Sequence, residues 1–383
     1  ERPIQWFFDN LLPEENARAI LAKDVKVAAG DSFALLMAVG AESAGAITLL
    51  PPEHSLTTAE AIPLTAAELS SRIDNLPQAP LNQRQRKRMS LAGAQHKMLV
   101  IYHQGQLLEP AGQMPSTHIL KPEHSQPELY PFTCRNEWFV MTLASRCGLP
   151  VPPVYIIYVP QAAYIVKRFD RRQTTKGVER LHLIDGCQLL GLSVGMKYER
   201  PYGDKPDVRE IRDGASLRLL FEAINKYSVQ PVVDRMALLR WAIFQVLIGN
   251  CDAHGKNVSF FVSPGGLVLA PTYDLVCIPA LEDAKLDRTL AMAIGDAFTA
   301  SEITPFDWAQ LGRQAGVRMA AMAKQMQDLA KKTLYGLDAA IDEATQAGVP
   351  KEESGRVQAY VVAACQAVAD AAKNVAKVDP KYL

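Results

Sequence analysis

The chain contains Asn250-Cys251-Asp252-Ala253-His254-Gly255-Lys256-Asn257, then the turn signal Ser263-Pro264-Gly265-Gly266, then Tyr273-Asp274. β-Branched and aromatic residues lie between Asn257 and the turn, and a second apolar run follows it, which predicts a β-hairpin. Antiparallel pairing about the Gly-Gly brings the start of the first strand beside the end of the second. We therefore expect Asn257 and Asp274 to be neighbours.

The side chains of this hairpin have the chemistry of a magnesium site. Asn257 and Asp274 each offer an oxygen, and Mg²⁺ keeps few protein ligands and takes the others from water and phosphate. Asp252 and Asn257 also have the Asp-x4-Asn spacing of kinase catalytic loops, where the Asp accepts the proton of the substrate hydroxyl group. An isolated Asp-x4-Asn is common by chance, so an ordinary solvated loop is the alternative that the neighbouring sequence has to exclude.

A long apolar run precedes the Asp252 loop. It extends from Asp234 to Gly249, is rich in helix-forming residues, and carries capping residues at both ends. These features predict a buried helix with Asp234 at its N-cap and Gly249 at its C-cap. Such a helix would be a rigid support for a site directly at its end.

Length, charge and cysteine usage bound the class of protein. The chain has 383 residues, enough for two domains with their own cores, and its 41 basic residues balance 41 acidic ones. Nothing in that balance indicates a nucleic-acid or membrane surface, and we expect no membrane contact. Six scattered cysteines without a Cys-x-x-Cys, and no visible signal peptide, predict reduced core thiols in a cytoplasmic protein.

Composition along the chain predicts three parts with an α+β fold. Residues 1–75 mix short helical and strand-like runs, and residues 76–170 alternate strand and turn signals around one helix. Residues 171–383 are mostly helical apart from the hairpin, and their Ala-rich end is interrupted at Gly348-Val349-Pro350. The polar, basic stretch 83–88 is interpreted as a solvated connector, with phosphate binding as the alternative.

Several further residues predict a phosphate-binding region. Small residues precede the strand at 98–102, so that backbone N–H groups can approach phosphate oxygens, or else form a tight turn. Lys121 ends a strand and contacts phosphate or extends to solvent, because burying an ammonium without an anion is costly. Kinases pair such a Lys with a Glu on the next helix, which points to Glu137 on the helix predicted at 136–146. The alternative for Glu137 is a helix-start carboxylate favoured by the macrodipole.

Two other segments are less specific. The strand at 163–170 lies where the sequence changes from mixed to helical character. An extended segment there would offer free backbone N–H and C=O groups to an adenine ring, and a plain strand and loop explains the same residues equally well. The Gln188 side chain would be able to reach a nucleotide. A helix start capped by Asp185 explains the same segment equally well.

Taken together, these pieces resemble the HipA-type serine/threonine kinases, the toxin half of HipBA toxin–antitoxin systems. The matching motifs occur in family order over most of residues 1–280, and they are Phe7-Phe8-Asp9-Asn10-Leu11-Leu12-Pro13, Ser90-x-Ala92-Gly93-Ala94-Gln95-x-Lys97, His118-Ile119-Leu120-Lys121, Asn136-Glu137, Arg168-Phe169-Asp170-Arg171, Cys187-Gln188-x-x-Gly191, Asp252-x-His254-x-Lys256-Asn257 and Tyr273-Asp274. The Ala-rich C-terminal part matches only in helical character.

The resemblance implies a two-lobed, protein-kinase-like α+β fold, with a mixed α/β N-terminal lobe and a mainly helical C-terminal lobe. It implies ATP and Mg²⁺ as cofactors, Asp252 as catalytic base, and Asn257 and Asp274 as metal ligands. The remaining implied site residues are Ala92, Gly93, Ala94, Gln95, His96 and Lys97 over the phosphates, Lys121 on the phosphates with Glu137 and Gln188 in support, Lys167, Arg168 and Phe169 as the adenine hinge, His254, Gly255 and Lys256 facing the γ-phosphate, and Tyr273 beside the metal.

The same resemblance implies regulation and partners. The serine at the position of Ser90 is autophosphorylated in the family, and a phosphate there would displace a loop that binds anionic phosphate. Implied partners are a HipB-like helix-turn-helix antitoxin, operator DNA reached through that antitoxin, and an aminoacyl-tRNA synthetase as substrate, glutamyl-tRNA synthetase foremost. Family members usually carry a β-rich segment before Phe7-Phe8, which we expect to be removed or supplied by a separate chain.

One further departure and two alternatives remain. Lys167 holds a hinge position that is acidic in a relative, which leaves backbone contacts to adenine intact. One alternative function is a non-catalytic nucleotide-binding co-repressor that holds an antitoxin on DNA. The other is a small-molecule kinase with the same site.

Overall fold

The computed structural model describes residues 2–53, 58–76, 81, 95–124, 126–128, 130–281, 286–379, 381 and 383. The chain forms two compact units. The first comprises Glu1–Cys134 and Pro152–Ile184, and the second comprises Arg135–Val151 and Asp185–Leu383. The first unit extends to Ile184, and most of one helix belongs to the second unit. As functional divisions, the three predicted ranges stay a prediction.

Helices and strands alternate irregularly, as the predicted α+β class requires. The α-helices are α1 (Pro3–Asp9), α2 (Glu15–Val25), α3 (Ser32–Val39), α4 (Ala66–Asp74), α5 (Thr133–Arg146), α6 (Gly186–Leu190), α7 (Leu217–Tyr227), α8 (Pro231–Ile248), α9 (Pro305–Gln314), α10 (Met319–Gln346) and α11 (Lys351–Val375). The strands are β1 (Glu60–Pro63), β2 (Met98–His103), β3 (Gln106–Ala111), β4 (His118–Pro122), β5 (Val154–Tyr158), β6 (Ala162–Lys167), β7 (Arg171–Thr174), β8 (Gly177–Arg180), β9 (Leu183–Asp185), β10 (Ser259–Ser263) and β11 (Gly266–Leu269).

The first unit is built on a six-stranded antiparallel sheet in the order β1-β3-β2-β4-β6-β5. Its central strands are fully buried at Met98, Leu120 and Ile165, which share one core with α4. β-Branched and aromatic residues dominate these strands, as expected of a pleated, buried surface. Helices α1 to α3 form a separate small core around Leu12 and Leu35.

The second unit is mainly helical, and its central helix differs from the prediction at its start. Helix α8 begins at Pro231, with Gln230 at the N-cap, so Asp234 lies in the first turn instead of capping the helix. Proline is favoured at the first helical position because its missing N–H has no partner there. The predicted end is confirmed, since Gly249 takes the left-handed conformation with φ of 67°.

Two other predictions concern this unit and the cysteines. The Ala-rich end forms α10 and α11, which pack against each other and are separated at the predicted Gly348-Val349-Pro350 break. All six cysteines are free and buried, as predicted. Within the described part of the chain, no helix combines the length and the apolar character needed to cross a membrane.

Candidate active site

The hairpin predicted around Ser263-Pro264-Gly265-Gly266 is confirmed. Strands β10 and β11 pair antiparallel, with Ser263 opposite Gly266 and Phe260 opposite Leu269. The first strand begins at Ser259 instead of Asn257, because residues 255–257 form a turn of 3₁₀ helix. Buried Asp234 of α8 accepts the N–H of Leu269 at 3.1 Å, which anchors the hairpin to the central helix.

The two ends of the hairpin are joined just before the proposed metal ligands. The hydroxyl of Tyr273 donates to the carbonyl of Lys256 at 2.6 Å and lies 2.7 Å from the hydroxyl of Ser259. Burial raises the pKa of the Tyr273 phenol far above its usual range, so the hydroxyl keeps its proton. In addition, Asn250 donates to the carbonyl of Asp274 at 3.2 Å. These bonds hold the Asn257 segment beside the Asp274 segment, as the hairpin argument predicted.

The side-chain amide of Asn257 is oriented by the Asp252 loop. Its Nδ2 donates to the carbonyl of Asp252 at 2.9 Å, and the residue is 5% exposed. The nitrogen end of the amide is therefore fixed, and Oδ1 is the end suited to a hard cation. Asp274 has φ of 59°, an uncommon conformation for a residue with a Cβ. Such strained positions concentrate at functional sites.

The side chain of Asp252 is exposed at the same loop. Its Oδ1 accepts the hydroxyl of Tyr198 at 2.7 Å. Its backbone carbonyl is the acceptor for Asn257, so the carboxylate and the amide belong to one tight turn. An exposed carboxylate in one turn with an amide oxygen has part of the composition that a phosphoryl-transfer site needs.

His254, Gly255 and Lys256 are buried within this turn. The ammonium of Lys256 forms an ion pair with Asp185 at 2.7 Å, and the Lys256 side chain is only 4% exposed. We expected Lys256 to face the γ-phosphate, whereas the structure gives it a partner at the start of α6, so its contact with phosphate stays a prediction. Gly255 is obligatory, because a Cβ there would clash with Ala215.

Gln188 belongs to the cap of α6. Asp185 accepts the N–H of Gln188 at 2.8 Å, and the Gln188 side chain accepts the N–H of Asp185 at 2.9 Å. This reciprocal pair is a capping box, so the structural alternative from the sequence is confirmed for Gln188. A nucleotide contact by Gln188 stays a prediction.

Asn136 belongs to the Asn136-Glu137 motif, but its hydrogen-bond partner was not predicted. Asn136 of α5 donates to the carbonyl of Cys277 at 2.9 Å and accepts the N–H of Cys277 at 2.8 Å. It is buried, and the two bonds fix α5 to the chain just after Asp274. A lone buried Asn on a helix gives no indication of its partner until the tertiary structure is known.

Lys121 lies in the first unit, on the central strand β4. It is 6% exposed, so the alternative of an ammonium extending to solvent is wrong, and its Nζ lies 5.8 Å from the centre of the Tyr164 ring. Glu137 is also buried but belongs to the second unit, in the second turn of α5, so a macrodipole role at the helix start does not apply. The Lys121–Glu137 pairing stays a prediction.

The predicted phosphate loop is described only in part. Gln95, His96 and Lys97 are half-buried directly before β2. Ser90, Ala92, Gly93 and Ala94, like the connector 83–88, lie outside the described residues. Their roles stay predictions.

The expected adenine hinge needs a correction. The N–H of Lys167 donates to Pro153 and the N–H of Arg168 donates to Thr117, both at 2.9 Å. These two backbone groups are not free for a nucleotide, because they continue the hydrogen bonding beyond β6. The Lys167 side chain is exposed, and a nucleotide contact by Lys167, Arg168 or Phe169 stays a prediction.

The Arg168 side chain instead joins a buried ion cluster that sequence reasoning missed. Arg168 forms a pair with Asp170 at 2.7 Å, and Arg171 forms one with Glu42 at 2.9 Å. Desolvation opposes the charge on Asp170, but Arg168 and Arg171 outweigh it and hold the pKa of Asp170 below its usual range. The cluster fastens the chain at Glu42 to the end of the sheet.

The chain is similar to known families and proteins along most of its length. The model of the HipA-like C-terminal domain matches residues 89–337, and the model of the HipA N-terminal domain matches residues 1–50. The chain is 38% identical over 310 residues to the serine/threonine-protein kinase toxin HipA of Shewanella oneidensis, which covers 80% of this chain and 70% of that protein. It is 35% identical over 345 residues to the putative kinase Y4mE of Sinorhizobium fredii, covering 87% and 77% respectively.

A solved structure shows the same similarity. It is the complex of HipA, HipB and operator DNA from the toxin–antitoxin system of Shewanella oneidensis MR-1. The chain superimposes on it with a TM-score of 0.86 and 33% identity, over 99% of this chain and 88% of that one. The predicted α+β, protein-kinase-like fold is thereby confirmed.

Proposed function

This chain belongs to the HipA family and is a serine/threonine kinase, and from that premise we propose that it uses ATP and Mg²⁺ to phosphorylate a protein substrate as a growth-arresting toxin. The single observation that carries the proposal is the turn that joins Asp252, Asn257 and the Tyr273-Asp274 segment through hydrogen bonds. This turn brings together a carboxylate that would act as the base and the oxygen atoms that would bind the metal, which are the groups that phosphoryl transfer requires.

Each residue has a stated part in this proposal. Asp252 accepts the proton of the substrate hydroxyl group, and its exposure leaves room for that group. Mg²⁺ would be held by the Oδ1 of Asn257 and the carboxylate of Asp274, where it would neutralise phosphate charge. Tyr273 and Asn250 keep these two ligands together. Lys121 would contribute positive charge to phosphate binding.

The experiment measures transfer of label from [γ-³²P]ATP. Asp252→Asn removes the base while keeping the size of the side chain, and we expect transfer to fall about 10²–10⁴-fold with ATP binding retained. Asp207→Asn, at an exposed Asp, is the matched control and should transfer label at the wild-type rate. Undiminished transfer by the Asp252→Asn protein would contradict the role of Asp252. Binding of ATP without any transfer by the wild-type chain would favour the co-repressor alternative.

The toxin role is supported by the relatives alone. The relative from Shewanella oneidensis is named a toxin, and its HipA is seen in complex with HipB and operator DNA. We propose an equivalent HipB-like helix-turn-helix partner here, with DNA bound through that partner, since the net charge of this chain is zero. Co-expression of the neighbouring helix-turn-helix reading frame should relieve growth arrest and bring operator DNA into the complex.

An aminoacyl-tRNA synthetase is the proposed substrate, with glutamyl-tRNA synthetase tested first. Phosphate on a serine in its ATP-binding loop would repel ATP phosphates and block tRNA charging. Incubation of purified synthetases with the kinase and labelled ATP identifies the acceptor, and the charging assay gives the consequence. Mass spectrometry of the kinase after incubation with ATP tests autophosphorylation at Ser90, with Ser90→Ala as the comparison.

A further inference from the structure

We propose that Tyr198 is a positioning residue, which holds the Asp252 carboxylate in the orientation used for phosphoryl transfer. The hydroxyl of Tyr198 donates to Oδ1 of Asp252 at 2.7 Å, although the two residues lie far apart in the sequence. This inference rests on the proposed role of Asp252 as the base. Tyr198 lies outside the motifs on which the family resemblance rests.

The backbone around Tyr198 is fastened to one side of the Asp252 loop. Gly255 donates its N–H to the carbonyl of Lys197 at 2.9 Å. Ala215 donates to the carbonyl of Met196 at the same distance, so the segment before Tyr198 is held from both directions. Gly214 lies against the carbonyl of Tyr198 so closely that a Cβ would clash with it. The backbone position of Tyr198 is therefore fixed.

A second connection runs to the other side of the loop. Glu199 donates its N–H to Ala291 at 2.8 Å, and Ala291 donates its own N–H to the carbonyl of Cys251 at 2.9 Å. The buried Glu199 carboxylate also accepts the N–H of Ala293 at 2.8 Å and the Nε of Arg212 at 2.7 Å. Tyr198 and Asp252 are thus tied through their neighbours on both sides, which makes the contact between them a consequence of the fold.

The aromatic ring of Tyr198 is fixed as well. The ring of His254 meets it edge to face, with centroids 5.3 Å apart and planes at 83°. The ammonium group of Lys197 lies 5.2 Å from the centroid of the Tyr198 ring and makes a cation–π contact with it. A phenol held by its backbone and by two ring contacts can orient a carboxylate without itself moving.

The exposure of Asp252 explains why such a residue is needed. An exposed carboxylate samples several rotamers, whereas a base must lie within hydrogen-bond reach of the proton that it takes. Tyr198 donates to Oδ1. Among the described residues, no hydrogen bond or ion pair reaches Oδ2. Oδ2 is therefore the oxygen that faces an incoming serine hydroxyl group. Tyr198 raises the fraction of molecules in which the Asp252 carboxylate has the orientation needed to accept the proton. Its loss should therefore lower kcat and leave the affinity for ATP unchanged.

The test compares Tyr198→Phe with Tyr202→Phe, an exposed tyrosine of the same segment. The readouts are transfer from [γ-³²P]ATP to dephosphorylated casein and to the chain itself, the KM for ATP, ATP binding, and Tm. We expect Tyr198→Phe to lower kcat about 10-fold to 100-fold, the range for misplaced catalytic groups, with KM for ATP and Tm close to those of Tyr202→Phe. An unchanged or increased kcat would overturn the proposal, since an increase would mean that Tyr198 blocks the acceptor. A parallel loss of ATP binding or Tm would also overturn it, because Tyr198 would then be structural.

A double-mutant cycle separates this proposal from the proposed function. If Tyr198 acts through Asp252, Tyr198→Phe should change the residual transfer of the Asp252→Asn protein less than 2-fold, an order-of-magnitude expectation for coupled residues. Additive losses would overturn the positioning role and leave the role of Asp252 intact. Wild-type transfer by Asp252→Asn alone, or no transfer by the wild-type chain, would instead remove the proposed function and the positioning role with it.

Discussion

The hydroxyl of Tyr273 donates to the backbone carbonyl of Lys256 at 2.6 Å, so the residue before Asp274 is fastened to the residue before Asn257. This bond, together with the hairpin that closes behind it, holds the chain segment of Asn257 beside that of Asp274. Metal ligands need support of this kind, since loss of the groups that orient them weakens metal binding.

Tyr273→Phe should therefore weaken the binding of Mg²⁺. The variant leaves the carbonyl of Lys256 without its donor, and we expect a loss of about 1–2 kcal/mol in the free energy of unfolding. The Mg²⁺ concentration for half-maximal transfer should rise about 10-fold, as for other residues that orient metal ligands. Ser259→Ala removes the other neighbour of the phenol and keeps the bond to Lys256. It should leave the Mg²⁺ response unchanged, and equal responses in Tyr273→Phe and wild type would contradict the prediction.

Local patterns in the sequence were sufficient to predict the hairpin and the end of the central helix. The Ser263-Pro264-Gly265-Gly266 turn fixes the register of β10 and β11, and Gly249 supplies the left-handed conformation that ends α8. The boundaries moved by a few residues, because Pro231 starts the helix earlier and a 3₁₀ turn delays the strand at Asn257. The approach of the Asn257 segment to the Asp274 segment was predicted from the pairing, whereas the hydrogen bonds that join the two segments were not.

The polar contacts that hold the site could not be predicted in this way. Tyr198 with Asp252 and Asn136 with Cys277 join residues from distant parts of the chain, and buried hydrogen bonds have no periodicity in sequence. Arg168 belonged to a recognised motif, but its guanidinium is part of a buried ion cluster. The motif therefore identified important positions without showing what each side chain contacts.

Asn136→Ala should destabilise the second unit. It leaves the buried N–H and C=O of Cys277 without their partner, and each unsatisfied group costs about 1–3 kcal/mol. Asn374→Ala, on the surface of α11, is the control and should change stability by less than about 0.5 kcal/mol. Urea unfolding followed by circular dichroism measures both. A loss no larger in Asn136→Ala than in the control would show that the contact with Cys277 is dispensable.

Glu42→Gln should destabilise the first unit through the buried ion cluster. Glu42 is fully buried and pairs with both Arg168 and Arg171, so its neutralisation leaves two buried guanidinium groups undercompensated. Removing one partner of a buried pair costs about 3–5 kcal/mol. Glu179→Gln breaks the exposed pair with Arg172 and should cost at most about 1 kcal/mol. Similar melting temperatures for the two variants would contradict the role assigned to the cluster.

The pH dependence of stability should contain a contribution from His118 on the central strand β4. Its ring lies against Tyr102 and Tyr155, and its Nδ1 is 2.8 Å from the hydroxyl of Thr117. Burial, with a smaller contribution from the charge on Lys167, lowers the pKa of His118 from 6.5 to about 4. The unfolded chain therefore takes up a proton below pH 6.5 that the folded chain takes up only near pH 4. The stabilising contribution is complete above pH 6.5 and is lost as the pH falls toward 4.

His118→Gln isolates this contribution from those of other histidines. Burial also lowers the pKa values of His96 and His124, but both remain in the variant, so the difference between the two proteins belongs to His118. Between pH 6.5 and 4 the melting temperature of His118→Gln should fall less steeply than that of the wild type. His103→Gln, at an exposed position at the end of β2, should keep the wild-type slope. Parallel curves for His118→Gln and wild type would mean that His118 takes up its proton equally readily in the folded and unfolded chains, against the effect expected from its burial.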